Sequence, residues 1–119
     1  MQPFVRFDNV LLDPAALSLG TGASLQLDSA GNTTALIISN GELSVTGAGS
    51  IDLGLNQSNQ IRGADGTETL INHATIQGAG SIGFDTLSLE NHGTITALYS
   101  TPLILDPAAL GDFINTGLL

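Results

Sequence analysis

No cysteine occurs among the 119 residues, so neither a disulfide framework nor thiolate chemistry is available to this chain. Lysine is also missing. The fixed cations are Arg6 and Arg62, set against 11 Asp and Glu, and the formal net charge is −9. That sign argues against a nucleic acid partner, whose phosphates need Lys and Arg to displace counterions. It is equally wrong for anionic membrane surfaces. Aromatic residues make up only 4% and tryptophan is absent. No apolar run approaches the roughly 18 residues of a membrane-crossing helix, so no membrane insertion is expected. The opening Met1-Gln2-Pro3-Phe4-Val5-Arg6-Phe7-Asp8 has neither a charged n-region nor an apolar h-region. An export signal, if used, is expected to lie outside this stretch or to have been removed.

What is present is aliphatic and small. Hydrophobic residues reach 42%, too many for a disordered chain, which pairs high charge with low hydrophobicity. Leu, Ile and Ala come in short runs punctuated by Gly and Asn, the pattern of many short strands. Leu25-Gln26-Leu27, Leu43-Ser44-Val45, Leu53-Gly54-Leu55, Leu87-Ser88-Leu89 and Leu103-Ile104-Leu105 are fragments of in-out-in alternation. The length corresponds to one domain.

One phrase keeps returning. It reads Asn72-His73-Ala74-Thr75-Ile76, then Asn91-His92-Gly93-Thr94-Ile95, then Asn115-Thr116-Gly117-Leu118, with a related Asn40-Gly41-Glu42-Leu43-Ser44-Val45 before them. Gly47-Ala48-Gly49-Ser50-Ile51 recurs as Gly78-Ala79-Gly80-Ser81-Ile82. Leu12-Asp13-Pro14-Ala15-Ala16-Leu17 recurs near the other end of the chain as Leu105-Asp106-Pro107-Ala108-Ala109-Leu110. Self-similarity of this kind marks a solenoid with loops inserted into some coils. Strands this short do not stand alone, but they suit a parallel β-helix in which each pairs with the coils above and below. The expected fold is therefore all-β, a single-stranded parallel β-helix of about five or six coils of roughly 19–24 residues. Residues 33–119 form its repeats, and 1–32 an N-terminal cap or irregular first coil.

Asn40, Asn72, Asn91 and Asn115 are expected at one corner, because Asn tolerates the left-handed backbone of a sharp turn and its amide can bond along a stack. Gly93 and Gly117, like Gly41, are expected to serve the same turns. Gln57 to Thr69 is polar and Gly-rich, and predicts a weak strand around Ile61 with a protruding loop. Each Asp-Pro-Ala-Ala-Leu segment has an N-cap and a first-turn proline, enough for a single helical turn.

The order Gly78-Ala79-Gly80-Ser81-Ile82-Gly83, Leu87-Ser88-Leu89-Glu90-Asn91-His92-Gly93-Thr94-Ile95-Thr96-Ala97, Asn115-Thr116-Gly117-Leu118 resembles the repeat arrays of autotransporter-passenger and filamentous-haemagglutinin-like adhesins of bacteria. The resemblance covers roughly residues 33–119. It implies a right-handed parallel β-helix, extracellular or on the cell surface. It transfers no catalytic or binding residue, because the shared positions are turns and core.

Candidate chemistry is sparse. His73 and His92, each following a repeat Asn, would stack at one exposed corner about 5 Å apart if the coils are in register. Glu90 stands near enough in sequence to be a third metal ligand, but specific sites want three or four ligands and a supporting shell, so solvated corner residues are preferred. Arg62-Gly63-Ala64-Asp65-Gly66-Thr67-Glu68 lacks the tandem nonapeptides of calcium-binding rolls and the ligand spacing of an EF-hand. Asp52 and Asp85 each follow a Gly-Ala-Gly-Ser-Ile phrase and would sit one above the other, the arrangement a glycosidase pair requires, yet a flat face offers little cleft. An ice-binding face would repeat Thr-x-Thr on every coil, and Thr94-Ile95-Thr96 stands nearly alone among the many Ser and Thr. No Ser-His-Asp set or phosphate-binding Gly loop stands out. No enzyme activity, cofactor or metal is expected. The expected role is a structural stalk of an adhesin, with any glycan or host-surface contact carried by loops such as 57–69. The rival is a fibre subunit that self-associates through its solenoid ends.

Overall fold

The computed structural model describes residues 4–6, 10–12, 15–39, 41–109 and 111–119, with side chains from Ala16 onward. Strands come in threes, and each three makes one layer. The first holds β1 (Phe4–Arg6), β2 (Val10–Leu12) and β3 (Ala15–Ser18); the second β4 (Ser24–Leu27), β5 (Thr34–Ile38) and β6 (Glu42–Thr46). The third holds β7 (Ser50–Leu53), β8 (Asn59–Gly63) and β9 (Glu68–Asn72). The fourth holds β10 (Thr75–Gly78), β11 (Gly80–Gly83) and β12 (Leu87–Asn91); the fifth β13 (Thr94–Ala97), β14 (Leu103–Leu105) and β15 (Phe113–Asn115).

Every third strand pairs in parallel. The result is three five-stranded sheets, ordered β1-β4-β7-β10-β13, β2-β5-β8-β11-β14 and β3-β6-β9-β12-β15. This is a three-sided parallel β-helix, all-β among the described residues. About four complete turns link the five layers, slightly fewer than the expected five or six coils. Residues 4–27 already contribute β1 to β4 to these sheets.

Alternation of small polar and aliphatic residues puts aliphatic side chains inside, two in several strands, and parallel register stacks them. Leu25, Ile51, Ile76 and Ile95 align in the first sheet. Leu36, Ile61, Ile82 and Leu105 align in the second. Leu43, Leu70, Leu89 and Phe113 align in the third. All are buried except in the last layer, where Leu105 is partly covered and Phe113 is 41% exposed. Burying an aliphatic side chain of this size contributes roughly 1.5–3 kcal/mol, so the stacked ladders are the main apolar term holding the layers together.

Register corrects two readings of the sequence and sets the bounds of a third. The two Gly-Ala-Gly-Ser-Ile phrases lie on different faces, since Ser50 pairs with Ser24 and Thr75 in the first sheet while Ser81 pairs with Gln60 in the second. The distance between the phrases is thus more than one coil. Coils also differ in length, shortest where Thr75 leads to its partner Thr94 and longest where Ala15 leads to Leu43. Within residues 57–69 the expected strand around Ile61 is β8, the central strand of its sheet, with Asn59, Ile61 and Gly63 inside, and the expected loop is confined to residues 64–67 between β8 and β9. The Asp-Pro-Ala-Ala segments form no helix among the described residues. Ala15–Ser18 is strand β3, and after β14 the Asp106 amide donates to Ile82 O at 2.9 Å and the Ala108 amide to Leu87 O at 3.0 Å. These bonds to the layer below hold the segment extended along the wall.

The loop 64–67 is organised by a buried acid. Glu68 points inward at 0% exposure, and its Oε1 accepts the Asp65 amide at 3.0 Å and the Gly66 amide at 3.3 Å. Asp65 itself is exposed, and its carboxyl titrates below the ordinary value of 3.8. The main cause is the Thr67 hydroxyl donating to Oδ1 at 2.6 Å, followed by the interaction with Glu68 and by the Thr67 amide at 3.0 Å. With the folded value depressed, this contribution is complete above the ordinary carboxylate range and is lost as pH falls through the lowered value. Thr67→Val is expected to raise Asp65's titration midpoint toward the ordinary value, read by the carboxyl carbon chemical shift. An unchanged midpoint would assign the depression elsewhere.

Candidate functional site at the asparagine corner

Asn72, Asn91 and Asn115 end β9, β12 and β15 and stand directly in register. Asn72 and Asn91 point inward and are fully buried. A buried amide must find partners, and here it finds them vertically. Asn72 Nδ2 donates to Asn91 Oδ1 at 2.9 Å, and Asn91 Nδ2 donates to Asn115 Oδ1 at the same distance. Each amide also closes its own turn. The Ala74 amide donates to Asn72 Oδ1 at 3.1 Å and Asn72 Nδ2 to Ala74 O at 3.1 Å. Asn91 Nδ2 likewise reaches Gly93 O at 3.3 Å. Asn40 lies outside the described residues, and the position below Asn72 is filled by Val45. The column therefore begins in the third layer.

Gly93 and Gly117 follow these Asn, but neither has a left-handed backbone. A Cβ on Gly93 would lie 2.0 Å from Ala74 O, and one on Gly117 would lie 2.1 Å from Gly93 O. Glycine is needed here because successive turns nest against each other.

Just outside the column the two imidazoles meet. The His73 and His92 rings stack with centroids 4.8 Å apart and planes 12° from parallel. His92 is held on both nitrogens, Nδ1 against Thr116 Oγ1 at 2.5 Å and Nε2 against Glu90 Oε1 at 2.6 Å. Glu90 is thus engaged with one imidazole and does not converge with both on a common point. No group of three or more His, Cys, Asp or Glu is placed to hold a metal among the described residues.

The carboxylate pair is separated. Asp52 faces outward on the first sheet, where its Oδ1 accepts Ser50 Oγ and Gln77 Nε2, both at 2.8 Å. Asp85 follows β11 in the second sheet, at a positive φ of 56°, with its Oδ1 accepting the Ala109 amide at 2.9 Å. The expected stacking of the two fails because the phrases preceding them belong to different sheets. Asp85 anchors a turn to the layer above.

The inward placement of two fully buried polar residues escapes the sequence reading. Asn59 is fully buried, with its Oδ1 accepting the Ser29 amide at 2.8 Å and its Nδ2 donating to Asn56 O at 2.9 Å. Glu68 is the other. Both occupy inward positions of period-2 strands, and testing that alternation across 57–69 was the signal that could have found them. Among the described residues, no helix is long and apolar enough to cross a membrane. Comparison of the chain with protein-family models, with curated proteins and with solved structures finds no match in any of the three.

Proposed function

We propose that this chain is a structural stalk segment of a secreted or surface-exposed bacterial adhesin, acting by rigidity and display rather than catalysis. The observation that carries this reading is the unbroken register of three parallel sheets through all five layers. Each layer templates the next, and the interior is filled by aliphatic ladders and one amide column, the construction of a load-bearing rod. The adhesin assignment rests on the order of the repeat phrases, and a glycan or host-surface ligand belongs to it as the object the rod presents. Antibody labelling of intact source cells tests the placement: label without permeabilisation is expected, and label only after permeabilisation would refute it.

A second reading, a fibre subunit stacking end to end, is favoured by the last layer. Ile104, Phe113, Ile114 and Leu118 are 53%, 41%, 45% and 64% exposed there, and β14 and β15 each pair with a strand on one side only, while Leu118 bridges Thr94 over the start of β13. Open strand edges with apolar side chains promote association. Sedimentation across a hundredfold concentration range separates the readings. The stalk stays monomeric, whereas the fibre subunit grows into filaments visible in electron micrographs.

A further inference from the structure

The outer face of the first sheet carries a polar trough. Two adjoining cavities of about 440 and 270 Å³ share Gln26, Asp52 and Gln77 along their floor. These three side chains are register partners in β4, β7 and β10, so they form one row running across the layers. A second row, Ser24, Ser50 and Thr75, runs parallel to it, at the next outward position of each strand. At one end of the trough stand Leu98 and Tyr99, which are 49% and 41% exposed. In backbone register the first row continues to Arg6, one layer below Gln26.

The trough's chemistry is that of hydroxyl recognition. Ser and Thr hydroxyls and Gln amides both donate and accept, as a sugar diol requires. Asp52 Oδ1 already takes Ser50 Oγ and Gln77 Nε2. That pair fixes the carboxylate, and Oδ2 remains to accept a further hydroxyl. The rows repeat at the strand spacing of about 4.8 Å, close to the advance of one sugar in an extended glycan. Tyr99 offers an aromatic face with a polar tip, suited to a ligand that is apolar on one side and wet on the other. Charge selects further. The trough lining includes the carboxylates of Asp28 and Asp52, on a chain of net charge −9. A sulfated or uronic polymer would be repelled.

We propose that this trough binds an uncharged polysaccharide laid along the stack, one sugar per layer. The proposal rests on the adhesin reading above and moves its glycan contact from residues 57–69 to the first sheet.

Affinity electrophoresis of the intact chain through gels containing xylan, mixed-linkage β-glucan or galactomannan tests it, with heparin as the anionic control. Retardation by at least one neutral polymer and none by heparin is expected. Gln77→Ala and Tyr99→Ala should each weaken retardation about tenfold, while Gln60→Ala on the second sheet should leave it unchanged. Should a trough variant fold poorly, titrating an oligosaccharide of the retarding polymer into the isotope-labelled parent chain must shift amides of the first sheet. The proposal is overturned by no retardation in all three neutral gels, by retardation in heparin alone, by full retention in the Gln26→Ala/Gln77→Ala/Tyr99→Ala triple variant, or by amide shifts confined to the other sheets. A chain that labels intact cells but binds no neutral polymer loses the trough alone. One that binds but labels only permeabilised cells loses the surface-stalk reading alone.

Discussion

Gly78→Ala is expected to prevent folding of the central layers, costing more than about 4 kcal/mol, a large share of the stability of any single domain. Gly78 has a φ of +127°, and a Cβ there would lie 1.7 Å from Leu53 O and 2.6 Å from the carbonyl carbon. That carbonyl belongs to the end of β7, directly below, so relieving the clash means parting two layers. Gly31 supplies the control, because its φ is +122° but a Cβ there meets nothing within 4 Å. Gly31→Ala pays only for the backbone conformation, roughly 1–3 kcal/mol. Urea unfolding followed by circular dichroism separates the two: Gly31→Ala should give a shifted midpoint, and Gly78→Ala no folded baseline. Similar midpoints for both would show that layer spacing adapts freely.

The second large effect lies in the amide column. Asn91→Asp keeps the shape but exchanges a donor for an acceptor. At neutral pH the new carboxylate would face Asn115 Oδ1, Gly93 O and Leu118 O, which now receive Asn91 Nδ2. A buried charge turned toward acceptors should cost roughly 3–5 kcal/mol. The pH dependence identifies the cause. Burial and facing oxygens raise the folded pKa of such a carboxyl above its unfolded value of about 3.9. Stability is then greatest below the unfolded value, where the protonated acid can donate, falls as pH rises through the folded value, and levels off above it. Unfolding midpoints at pH 3.5 and 7, compared with the parent chain, check this. A penalty independent of pH would indicate a packing defect rather than a lost donor.

The same column shows why part of the fold was legible in the sequence. Asn72, Asn91 and Asn115 carry similar neighbours because they solve the same problem at the same corner, so motif and register coincide. The Gly-Ala-Gly-Ser-Ile phrases do not coincide, because entry into a strand poses the same problem at two corners and the chain answers both alike. Residues 57–69 give only a weak strand signal since their inward positions are Asn59, Ile61, Gly63 and Glu68, with one aliphatic residue among four. Burial there is satisfied by hydrogen bonds instead of apolar contact, which hydropathy alone does not register. The trough on the first sheet was hidden for a different reason. Gln26, Asp52 and Gln77 share no motif, and only the lengths of the intervening coils bring them into one row.

The amide column also gives the interior a sense of direction. Asn72 donates to Asn91, and Asn91 donates to Asn115, so both links point toward the last layer. Aligned amide dipoles polarise one another along such a chain, and their partial charges accumulate at its two ends. Up and down are electrically distinct inside this rod. A layer laid on with its chain reversed would set donor against donor.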